Sequence, residues 1–126
     1  MPKLASADAR AIARQYYELA VSLGAYRFTN WERLSRARRA DLESLEWTLL
    51  TYSSDMTTRA IDLAVDDLDE ALGSIKGAVK ALQRAVKHAG DVRAAIDAAA
   101  RAVSLGAAIA TGNPVALAAA LGAAKD

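Results

Sequence analysis

A seven-residue repeat runs without error from Ile61 to Ala89 and dictates how that stretch must pack. Ile61, Val65, Leu68, Leu72, Ile75, Val79, Leu82, Val86 and Ala89 alternate by four and three residues, the a/d seam of packed helices. Ala64, Ala71, Ala78 and Ala85 fill each position just before an a residue, the g position. A two-stranded coiled coil places charges at g, because those sites flank a narrow seam. Alanine there widens the apolar stripe to three positions in seven, which suits a helix packed against two or more neighbours. The expected helix-packing interface is therefore Ile61, Ala64, Val65, Leu68, Ala71, Leu72, Ile75, Ala78, Val79, Leu82, Ala85 and Val86.

The remaining sequence is equally suited to helix. Only two prolines and seven glycines occur in 126 residues, and alanine is abundant, a balance that favours helix almost throughout. The expected fold is all-α: a single domain (1–126) of four or five helices in a mainly antiparallel bundle. The heptad helix is central, and an alanine-rich helical hairpin closes the C-terminus. Helices are expected at about 6–23, 30–52, 56–89, 92–111 and 114–124. Ser6 can cap the first, whose stripe is Ile12, Tyr16, Leu19 and Leu23, and Gly24 suits its C′ position. Thr29 and Glu32 read as a capping box for the second, with Trp31, Leu34, Leu42, Leu45, Leu49 and Tyr52 inward. Arg38 falls on that stripe and must snorkel outward or overhang.

Between Thr51 and Thr58 the apolar phase slips: the seam of Leu45, Leu49, Tyr52 and Met56 leads to Arg59, not to an apolar residue. Thr51-Tyr52-Ser53-Ser54-Asp55 also contains residues that favour caps over helix interiors. A turn near Ser54 is expected, with Ser54 or Asp55 capping the heptad helix. The alternative is one helix of about 60 residues, roughly 90 Å long. Gly90 ends the heptad helix and Asp91 caps the next, whose inner stripe is Val92, Ile96, Ala99, Val103 and Ala110. Arg93, Asp97 and Arg101 form an outer ladder. Gly112 stops that helix, Asn113 caps the last, and Pro114 takes its first position.

Composition removes several chemistries. Without cysteine there are no disulfides, thiolate metal sites or cysteine nucleophiles. Asp62, Asp66 and Asp69 share one face of the heptad helix, with Asp67 and Glu70 adjoining, but they lie outside the seam, lack Glu-x-x-His pairs and read as a solvated face balancing Lys76, Lys80, Arg84 and Lys87. His88, the sole histidine, has no nucleophile or acid beside it and sits where a helix C-terminus favours a cation. No phosphate-cradling loop, zinc spacing or hydrolase elbow occurs. No enzyme, cofactor or metal is expected. Asp8, Arg10 and Arg14 interrupt any leader-like apolar run, so a cytoplasmic location is expected, with signal-less export or membrane association as alternatives.

Two segments remain for function. Ala102 to Ala124 carries no charge; Val103, Leu105, Ile109, Val115, Leu117 and Leu121 are its larger apolar residues. It reads as a hairpin that packs in its own bundle, joins a second subunit, or enters a membrane. Arg27, Trp31, Arg33, Arg36 and Arg39, with Arg38 and Phe28, form a basic and aromatic cluster suited to a partner surface. The formal net charge of +1 and the neighbouring Glu32, Asp41, Glu43 and Glu46 argue against nucleic acid. The expected function is non-catalytic protein–protein association with self-assembly into a homo-oligomer. Two alternatives stand beside it: a small membrane-active toxin or effector using the 102–124 hairpin, and an inhibitor or immunity-type binder of a cognate protein.

Overall fold

The computed structural model describes residues 3–58, 61–62 and 68–125. It is an all-α helical bundle, with five α-helices among the described residues: α1 (Ser6–Thr29), α2 (Arg36–Thr58), α3 (Leu68–Lys87), α4 (Val92–Thr111) and α5 (Pro114–Lys125). A 3-10 turn at Trp31–Arg33 links α1 to α2, and the two-residue segments β1 (Lys3–Leu4) and β2 (Ile61–Asp62) pair antiparallel, Leu4 opposite Ile61. The packing is layered: α1 lies against α2 and α3, and α4 lies against α3, α5 and α2.

In α1 the apolar positions recur at helical spacing, and Ile12, Tyr16, Leu19, Leu23, Ala9, Ala13 and Ala20 are all buried. The helix does not stop at Gly24. A methyl group at that position would lie 2.8 Å from Glu46 Oε1 on α2, so the missing side chain serves close approach between helices and α1 continues to Thr29. The expected Thr29–Glu32 capping box does not form, because Thr29 is still the last turn of α1. The start of α2 is instead capped by Ser35, whose Oγ accepts from Arg38 N–H at 3.2 Å. Trp31 consequently sits in the corner rather than the core, whereas Leu34, Leu42 and Leu49 are buried and Leu45 and Tyr52 half-buried.

The turn expected near Ser54 is absent, and α2 runs on to Thr58. Its hydroxyl residues are accommodated by bonding back along the helix: Thr48, Thr51 and Thr57 donate to the carbonyls of Ser44, Trp47 and Ser53 at 2.8–3.0 Å. Ser53 Oγ donates across the bundle to Ala13 O at 2.8 Å. Met56 is buried as the seam requires; the heptad helix does not start near residue 56, which lies within α2, and its described part is Leu68–Lys87. Ile61 is buried in β2, while Ala64 and Val65, two of the expected interface residues, lie outside the described residues.

From Leu72 onward the repeat is realised. Leu72, Ile75, Val79, Leu82 and Val86 are buried along α3. The widened flank is narrower than expected: Ala78 is buried and Ala71 half-buried, but Ala85 is exposed. Gln83 Nε2 donates to Gln15 O at 2.6 Å and ties α3 to α1. In α4 the inner stripe is turned relative to the expected one. Ala95, Ala98, Ala99, Ala102, Leu105, Gly106, Ala108 and Ile109 are buried, whereas Val92, Ile96 and Val103 are half-buried and Ala110 is exposed. The small side chains bring α4 close to its neighbours, which decides the orientation over the larger valines. Arg93, Asp97 and Arg101 are exposed, with no ion pair between them. At the centre Tyr16 Oη donates to Ala102 O at 2.8 Å, and its ring meets Tyr52 edge-on at 6.2 Å.

Candidate interaction surfaces

The C-terminal hairpin is built by local chemistry. Asp91 caps α4, its side chain accepting from Ala94 N–H. Gly112 takes the left-handed conformation (φ 67°) and its N–H donates to Ala108 O and Ile109 O, closing the helix. Asn113 Oδ1 then accepts from Val115 and Ala116 N–H at 2.9 and 3.2 Å, and Pro114 opens α5.

The hairpin residues divide between two environments. Leu105, Ile109 and Leu117 are buried in the bundle, and Val103 and Leu121 are half-buried. Val115 is 77% exposed, beside exposed Ala116, Ala118, Ala119 and Ala123. Although α5 is apolar on every side up to Lys125, Leu117 alone is fully buried among its described side chains. A groove of about 540 Å³ runs between α4 and α5, lined by Ser104, Ala107, Ala108 and Thr111 on one side and Ala116, Ala119, Ala120 and Ala123 on the other. An uncharged surface with short side chains admits close approach by another helix without desolvating a charge. By length and composition α4 is also apolar enough to cross a membrane. A core helix passes the same test, and the buried side of α4 holds the Tyr16 bond. The apolar part of α5, Pro114–Ala123, is too short for a span.

The second surface is the α1–α2 corner, where the structure brings the expected arginine and aromatic residues together. Phe28 and Trp31 stack with ring centroids 6.0 Å apart and planes 16° from parallel. The Arg39 guanidinium lies 4.4 Å from the Trp31 centroid, and that of Arg27 lies 5.0 Å from Phe28 and 5.8 Å from Trp31. Arg39 is steadied by donating from Nε and Nη2 to Leu34 O. Arg27 points inward as well, its Nε donating to Glu46 Oε2 at 2.6 Å, with side-chain exposures of only 13% and 17%. The hydrogen bond to Glu46 raises the Arg27 pKa, outweighing the opposing effect of burial. Arg33 and Arg36 are exposed and make no ion pair with any described residue. Nearby, burial raises the Tyr26 phenol pKa, helped by the Asp91 charge and opposed by Arg33.

Glu46 was not legible as the partner of Arg27, because the pairing spans two helices. Trp47, 65% exposed, did carry a signal: it lies two residues before Leu49 and so about 200° around the helix from the buried stripe. Elsewhere, His88, Asp69 and Glu70 are exposed, and Lys76 Nζ lies 3.8 Å from Asp8 Oδ1. Among the described residues no group of His, Asp or Glu side chains is arranged to hold a metal. Asp66 and Asp67 of the expected acidic face lie outside the described residues. Comparison with known protein families, curated proteins and solved structures finds no significant match.

Proposed function

We propose that this protein is a non-catalytic helical bundle that works by protein–protein association, beginning with itself, through the uncharged face of α4 and α5. One observation carries the reading. Val115 and the alanines around it stand exposed on an apolar helix that, among its described side chains, commits only Leu117 fully to its own core. A second copy of the same face supplies the missing cover without any buried charge. Light scattering over a concentration series tests it: a mass that rises to a multiple of 13.3 kDa supports association, and a constant monomer at high micromolar concentration rejects it.

A second reading, membrane action by the hairpin, is favoured by the length and apolarity of α4. It requires Leu105 and Ile109 to leave the core and the Tyr16 bond to Ala102 to break. Dye release from liposomes that Val115→Glu abolishes would support it over self-assembly; no release at all would dismiss it.

A further inference from the structure

We infer that the α1–α2 corner is a docking surface for an acidic segment of another protein, one carrying several carboxylates around an apolar side chain. Residues 27–39 hold five arginines and one glutamate. Two of those arginines have carboxylates of their own: Arg27 is taken by Glu46 and Arg38 lies 3.9 Å from Asp41. Arg33, Arg36 and Arg39 have none among the described residues, and the first turn of α2 contains no acid to compensate them. Positive charge at the start of a helix opposes the helix dipole, and an acidic partner would relieve that cost.

Beside these arginines the stacked Phe28 and Trp31 rings are 69% and 40% exposed. Phe28 and Trp31, with Thr29, Asn30, Glu32 and Arg33, line a depression of about 340 Å³. The two exposed stacked rings lie next to the Arg39 guanidinium and share their depression with Arg33, with Arg36 exposed at the start of α2. Together they provide apolar contact and charge-assisted hydrogen bonds, the composition that anchors protein interfaces. The occupant must be acidic, by charge complementarity, and short in its acidic reach. Glu32 inside the patch and Asp41 and Glu43 just beyond it would repel a long continuous polyanion, which favours a protein segment over nucleic acid. This surface is separate from the α4–α5 face, and neither depends on the other.

The test uses the full chain and three labelled probes read by fluorescence anisotropy: a twelve-residue peptide of four Glu-Glu-Leu repeats, the same peptide with glutamine for glutamate, and a twelve-nucleotide single-stranded DNA. The acidic peptide should bind at least about tenfold more tightly than the glutamine peptide, with affinity falling as salt rises. Arg33→Glu with Arg36→Glu should weaken it by about tenfold or more, and Trp31→Ala should weaken it too. Arg33 and Arg36 are exposed and unpaired, so circular dichroism should be unchanged; should the double reversal fail to fold, Arg33→Gln with Arg36→Gln replaces it. Equal binding of the two peptides, no binding of the acidic peptide, or indifference to the arginine changes overturns the inference. Tighter binding of the DNA overturns it in favour of a nucleic-acid surface.

Discussion

Tyr52 occupies the space that a side chain at position 106 would need: a methyl group on Gly106 would lie 2.9 Å from Tyr52 Cδ2 and 3.2 Å from Cε2. Gly106 is buried on α4, so the contact sets how closely α4 approaches α2. Gly106→Ala should therefore destabilise the fold by about 1–3 kcal/mol, the usual cost of overpacking. Gly122, also helical, has nothing within 4 Å of the same position, and Gly122→Ala should be neutral or stabilise by up to about 1 kcal/mol. Urea unfolding of the two variants checks this, and a Gly106→Ala protein as stable as wild type would count against the close approach.

Tyr16 anchors the same face of α4 one turn earlier. Replacing it with phenylalanine removes the 2.8 Å bond to Ala102 O and should cost about 1 kcal/mol. The same group predicts an alkaline dependence. Burial first, then the neighbouring Tyr52, raises the Tyr16 phenol pKa well above its ordinary value. The unfolded chain gives up this proton near pH 10 and the folded chain does not. Stability is thus complete below about pH 10 and falls as pH rises further, by about 1.4 kcal/mol per pH unit. Tyr26, also raised, adds to the loss. Denaturation between pH 9 and 11 should show a shallower decline in Tyr16→Phe; identical slopes would contradict the assignment.

The Arg27–Glu46 pair braces the α1–α2 corner with little exposure to solvent. Glu46→Gln leaves the guanidinium without its charge partner and should cost about 2–3 kcal/mol, in the range for hydrogen bonds to charged groups. Arg36→Gln, at an exposed site with no ion pair among the described residues, should change the melting temperature little. Thermal melts of the two variants separate these outcomes. Equal melting temperatures would mean that the buried pair contributes nothing net.

What the sequence shows and what it hides in this chain follows from range. The Leu72–Val86 seam, the Asp91 cap and the Gly112-Asn113-Pro114 turn depend on neighbours within a few residues, and each forms as its spacing requires. The stop at Gly24 and the turn near Ser54 do not occur because the partners that decide them are distant: Glu46 lies against Gly24, and Ala13 O accepts from Ser53 within the 51–55 stretch. A glycine in a helix and a serine that favours caps both carry local signals for termination, and tertiary contact overrode each. The arginine and aromatic cluster was legible as a composition. Its division into the buried Arg27 and the exposed Arg33 and Arg36 was not, because that division is decided by where Glu46 sits. The hairpin was legible as an uncharged unit, but which of its apolar residues are spent inside the bundle depends on the turn of α4 about its axis.

The proposed self-association rests on the exposed face of α5 and is tested most directly by sedimentation velocity on the full chain and on Val115→Glu. Val115 is exposed, so the substitution should leave helicity and melting temperature nearly unchanged while placing a charge on the uncharged face, in the first turn of α5. The account predicts an oligomer for the wild-type chain at high micromolar concentration and a monomer for Val115→Glu. A wild-type monomer, or an oligomer unaffected by the substitution, would contradict it.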